Sequence, residues 1–186
     1  IREVFKDEGL DVADHNILRL LDIFNAVNGQ WLLKLNSVKD GSHYRTEKLS
    51  LLSAFKTALA FFYHDAITWI PVSLEEILRV SGAVGLAQRD GLFSIKNLGG
   101  SGVHTDDLLM IGLEWQGERL LMHFYPLEVK VGTNAAHVYS KAQEQGRNTA
   151  AILSRFLLEQ EGFTPKIYRN FFAKLAMIGA EKLALY

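Results

Sequence analysis

The sequence predicts an α/β domain, a central sheet flanked by helices. Three observations lead there. Short apolar runs of strand length occur at Ala66 to Val72 and, as an adjacent pair, between Leu108 and Val131. Longer stretches, from about His15 to Val27, Thr46 to Tyr63 and Ala135 to Glu159, repeat apolar residues at helical spacing. Helix starts and stops punctuate these stretches: Asp14, Ser73 with Glu76, and Thr164-Pro165 at starts, and Asn28-Gly29, Gly82 and Gly162 at ends.

Taken in order, Asp14 caps a helix whose Ile17, Leu18, Leu21, Phe24 and Val27 share a face. Trp31 to Leu35 reads as a short strand, followed by a polar loop around Asp40-Gly41. The helix from about Thr46 to Tyr63 is apolar on more than one face (Leu49, Leu51, Leu52, Phe55, Leu59, Phe61, Phe62), so deep burial is expected. Ala66 to Val72 is a strand in which Pro71 favours an edge or an end. Ser73-Leu74-Glu75-Glu76 is a capping box opening a short helix, which reads both glutamates as helix-start chemistry. Leu92 to Lys96 reads as a further strand, and Gly99 to Gly102 as a tight, flexible approach to Asp106-Asp107. Leu183 to Tyr186 is where one last strand could begin.

Composition limits the possible functions. At 186 residues and 48% hydrophobic content the chain suits one domain with a sizeable core. Residues 1–45 read as a helix–strand addition to a compact unit over 46–186, and the start at Ile1 suggests a piece of a longer protein. The absence of cysteine excludes disulfides, thiolate-bound zinc, iron–sulfur clusters and thiol nucleophiles. It also fits a cytoplasmic setting, and no apolar run is long enough to span a bilayer. There is no Gly-x-Ser-x-Gly elbow for a serine triad, and the glycine run lacks the lysine of a phosphate loop. Net charge is −1, but residues 130–186 carry 8 Lys/Arg against 4 Asp/Glu. That basic third could face phosphates while the acidic remainder holds metal.

The chemistry concentrates between His104 and Lys130. An acidic pair, Asp106-Asp107, leads into a strand from Leu108 to Leu113. A polar turn, Glu114 to Glu118, returns the chain into a second strand from Arg119 to about Val131. Glu128 and Lys130 lie two apart and so share a face of that strand. Such a hairpin can bring Asp107 and Glu128 together with Lys130 beside them. Two converging carboxylates suit a hard divalent cation such as Mg2+, with Mn2+ as a substitute. A neighbouring ammonium can orient a bound water or help deprotonate it.

This acid–strand–Glu-x-Lys arrangement resembles the PD-(D/E)xK nuclease superfamily, whose restriction-endonuclease-like core is a central mixed sheet flanked by helices. The resemblance implies metal-dependent hydrolysis of DNA phosphodiesters. Asp107 and Glu128 would be metal ligands with the Val129 carbonyl, and Lys130 would position the attacking water. The usual proline before the first acid is replaced by Thr105-Asp106, which leaves Asp106 and Asp107 as alternative ligands. Asp107 is preferred because the hydrophobic run begins directly after it. The superfamily often adds an acid from a preceding helix, and Glu47 is the candidate here. Its following helix commonly meets DNA, which points to Lys141, Gln145 and Arg147.

The TDDLLMIGL and YPLEVKVG segments are also similar to the nuclease-like domain of phosphorothioation-dependent restriction ATPases. That similarity implies a prokaryotic defence or DNA-processing system, with further helicase or ATPase domains or subunits as partners. The main alternative is a catalytically silent module of the same fold, used for DNA binding or subunit docking. A hydrolase of small phosphate compounds is another.

Overall fold

The structure is a computed structural model that describes residues 2–7, 9, 12–37, 42–83, 92–93 and 108–185. Its helices and strands run α1 (Arg2–Asp7), α2 (Asp14–Asn28), α3 (Gln30–Ser37), α4 (Ser42–Phe62), β1 (Ile67–Ser73), α5 (Leu74–Ala83), β2 (Leu108–Gln116), β3 (Arg119–Leu127), α6 (Ala136–Ser154) and α7 (Phe163–Leu185). A π-helical turn, Arg155–Glu159, extends α6.

The α/β class is present as a three-stranded sheet in the order β1-β2-β3, with helices around it. Among the described residues the sheet is antiparallel throughout, whereas a mixed sheet was expected. Leu183 to Leu185 continue α7 instead of starting a strand, and Leu183 packs between the two apolar cores. The hairpin is also tighter than the sequence suggests: Gln116 pairs with Arg119 around Gly117, whose φ of 62° is the left-handed conformation glycine tolerates. Pairing therefore includes Glu114 to Gln116, and β3 ends at Leu127 instead of near Val131. Both prolines of the sheet, Pro71 and Pro126, stand on edge strands, where the missing N–H breaks no ladder.

Alternation along the strands divides the sheet faces. Ile70, Val72, Leu109, Ile111, Met122 and Phe124 point to one face and join α7 and the π turn in the larger core. Phe172 is its centre, fully buried and edge-on to Phe124 at 5.1 Å. Tyr168 donates no less to order here: its hydroxyl accepts the backbone N–H of Leu92 at 3.2 Å, and its ring meets Phe93. Of the expected strand Leu92 to Lys96 only these first two residues are described, and they form a turn.

On the other face Leu108 enters a second core with Phe24, Val27, Trp31, Leu35, Leu51, Leu52 and Phe55. This core explains why Trp31 to Leu35 is helix instead of the expected strand. Trp31 and Leu35, one helical turn apart, are both buried, while Leu33 between them is 75% exposed. A five-residue stretch with four apolar positions does not fix its own period, and packing against α2 and α4 decides it. The same packing buries only one side of α4, so that Phe61 is 83% exposed rather than interior.

Candidate functional site

The last described pair of the β2–β3 ladder is Leu108 with Leu127, and β1 closes the same row with Ser73 opposite Leu108. One end of the sheet thus brings together Leu108, the residues after Leu127 and the start of α5. Asp106 and Asp107, the expected first acids, lie outside the described residues, as do Gly99 to Gly102.

Glu128 and Lys130 follow directly on β3, outside any helix or strand. Val129 between them packs against the second core. The Lys130 ammonium pairs directly with Glu128 Oε1. The Glu128 side chain is only 8% exposed and that of Lys130 31%, so the carboxylate is sheltered and the ammonium faces water.

Two grooves meet at Glu128. One, of about 540 Å³, runs along α4 past Ser50, Ser53, Ala54 and Thr57 and is closed by Leu127 to Lys130. Small side chains on that face of α4 create the space. The other, of about 530 Å³, lies between the β3 end and α6 and includes Tyr139, Gln143, Gly146 and Arg147. Tyr139, Gln143 and Arg147 recur every four positions and Gly146 adjoins them, so the four lie along one side of α6. Arg147 therefore shares a groove with Glu128. Lys141 and Gln145 are exposed on α6 away from these linings.

Glu47 lies in α4 one turn before Ser50, continuing the stripe that lines the first groove. Its Oε1 is 3.2 Å from the ammonium of Lys48. The same ammonium is 3.8 Å from Glu75 Oε2, and the Trp31 indole N–H donates to that oxygen at 3.1 Å. Glu75 thus does more than begin α5. Sequence reasoning passed over Lys48, Glu75 and Trp31, because the indole and the carboxylate are 44 residues apart and no spacing rule joins them. The serine half of the expected capping box is present, with Ser73 Oγ accepting the N–H of Glu76 at 3.1 Å. Both Glu76 carboxylate oxygens take up Arg79, at 2.8 and 2.6 Å, instead of serving as the reciprocal cap.

The donors at this end of the sheet are carboxylate oxygens, which in type suit Mg2+ or Mn2+ and not a soft metal. Among the described residues no three His, Cys, Asp or Glu converge tightly enough to hold an ion by themselves. Of the expected acids, Glu47 and Glu128 lie among the described residues and Asp107 does not. Comparison with known proteins finds no matching family model, no matching curated protein and no matching solved structure.

Proposed function

We propose that this domain is a metal-dependent DNA endonuclease of the PD-(D/E)xK type, working within a prokaryotic restriction or DNA-processing assembly. The observation that carries the reading is the Leu108–Leu127 pair: the residue before Leu108 is Asp107 and the residue after Leu127 is Glu128. The two carboxylates of the motif therefore adjoin, along the chain, the two members of one cross-strand pair. Asp107, Glu128 and the Val129 carbonyl would hold Mg2+, with Glu47 as a further acid. Bound there, the ion would lower the pKa of a water and offset negative charge on the phosphate and leaving oxygen.

The chain's own residues have separable tasks in this reading. Glu128, sheltered and held by Lys130, keeps a carboxylate oxygen in a defined place. Lys130, the more exposed of the two, orients the attacking water through its N–H donors. Arg147, across the groove from Glu128, presents a guanidinium suited to bidentate contact with a phosphate. Lys141 and Gln145, on an exposed face of the same helix, would contact the DNA backbone further out. Among the described residues no helix is long and apolar enough to cross a membrane.

The test is Mg2+ and Mn2+ calorimetry on the parent, Asp107→Ala and Glu128→Ala, with plasmid cleavage on the same samples. Binding and cleavage in the parent, both lost in the variants, are the expected result. A Glu128→Ala protein that cuts DNA as fast as the parent would overturn it. Salt-sensitive DNA binding without metal binding would instead identify a silent module of the same fold.

A further inference from the structure

In an antiparallel ladder, pairs that exchange both backbone hydrogen bonds alternate with pairs that exchange none. The pair closing a two-residue hairpin is of the bonded kind, and here it is Gln116 with Arg119. Leu121, His123, Tyr125 and Leu127 therefore bond to β2, while Leu120, Met122, Phe124 and Pro126 turn their backbone groups outward. Pro126 fits this phase, having no N–H to give to β2. Strand β3 is an edge of the sheet, and among the described residues nothing pairs with its outward row.

Two grooves lie end to end between that edge and α6. The groove of about 530 Å³ reaches from Pro126 to Glu128, and another, of about 320 Å³, from Met122 to Tyr125. Tyr139 to Arg147 wall the first and Ala150 to Leu158 the second, so the helix runs counter to the strand along both. From Met122 to Glu128 the strand side measures about 20 Å. Helix α6 itself gains little from packing: of its 19 residues only Leu153 is buried, and Leu158 in the turn beyond is 74% exposed. Most helical stability comes from covering an apolar face, and here that face borders an open groove. Backbone donors and acceptors recurring every two residues between apolar walls have one natural complement, another extended polypeptide.

Charge selects among polypeptides. Glu128 in the groove is paired with Lys130, whereas Arg147 across from it has no ion pair among the described residues. An uncompensated guanidinium is complementary to a carboxylate. We propose that the β3 edge takes up an extended segment of a partner protein as a fourth strand, with an apolar side chain against Ala150 and Leu158 and an acidic residue at Arg147. This docking does not depend on the metal site. It bears on DNA all the same, because the segment occupies the guanidinium assigned to phosphate, and peptide and DNA then exclude each other there.

The experiment selects random phage-displayed heptapeptides on the full chain and measures the best of them, synthesised, by fluorescence anisotropy. The expected peptides alternate apolar residues and carry an Asp or Glu, and when bound they slow hydrogen exchange at the Met122 and Phe124 amides. Met122→Pro removes one outward N–H and spares the β2 ladder, as Pro126 does, so it should weaken binding by about tenfold. Arg147→Glu, on the exposed side of α6, should weaken it by about as much. Near-ultraviolet circular dichroism checks the fold of each variant. Parent-like affinity in either folded variant overturns the proposal, as does the absence of any enriched peptide. Should Met122→Pro not fold, amide exchange in the parent decides: protection of Met122 and Phe124 by the peptide supports strand addition, and unchanged exchange rejects it. A parent that sediments as a dimer, with Met122→Pro a monomer, would place a second copy of this chain at the edge and reject the partner segment.

Discussion

Glu114 stands on the sheet face opposite the larger core, and its Oε2 lies 2.7 Å from His123 Nε2 while Oε1 accepts from Gln116 at 3.0 Å. The Gln116 bond first, and then His123, hold this carboxyl below the ordinary carboxylate range. A carboxyl depressed in the folded state adds stability above its unfolded pKa and loses it as pH falls through the folded value. Urea midpoints followed from neutral pH down through the carboxylate range should therefore fall more for the parent than for Glu114→Gln. Parallel curves would show that the pair contributes nothing to folding. The pair is solvent-reached, so the difference should be small and shrink with added salt. The partners were not readable from the sequence as a pair, because Glu114 lay in the expected turn. Only the longer ladder brings it beside His123, diagonal to it on the same sheet face.

Helix α5 shows an element whose start is written locally and whose use is not. Ser73 satisfies an otherwise orphaned N–H of the first turn, so Ser73→Ala should lower stability by about 1 kcal/mol, measured by urea denaturation, whereas Ser73→Asp should retain most of it. An unchanged midpoint in Ser73→Ala would mean that water replaces the cap. The Ser-x-x-Glu pattern made that helix legible because capping involves neighbours only. Helix α3 was not legible: its apolar run serves a strand or a helix equally until Trp31 and Leu35 find α2 and α4. Tertiary burial set its period.

At the scale of the molecule, the second core spans the boundary drawn near residue 45. That boundary falls inside α4, and Phe24, Val27, Trp31 and Leu35 lie on one side of it while Leu51, Leu52, Phe55 and Leu108 lie on the other. Burying one such side chain contributes about 1.5–3 kcal/mol, and a whole domain retains only about 5–15 kcal/mol. A chain restricted to residues 46–186 should accordingly lose its cooperative thermal transition. A sharp transition near the parent's would show that the N-terminal helices are an independent addition.

The sequence by itself determined the α/β class, the positions of α2, α4, β1, α5 and α6, the hairpin that links Leu108 to Leu127, and the candidacy of Glu128 and Lys130. These follow from periodicity, caps and turns, whose physics is local. The tertiary structure decided the antiparallel sheet, the helical state of Trp31 to Leu35, the stripe of α6 that faces Glu128, and the burial of Lys48 between Glu47 and Glu75. Each depends on residues far apart in the chain competing for one apolar interior, and no local pattern records who wins that competition.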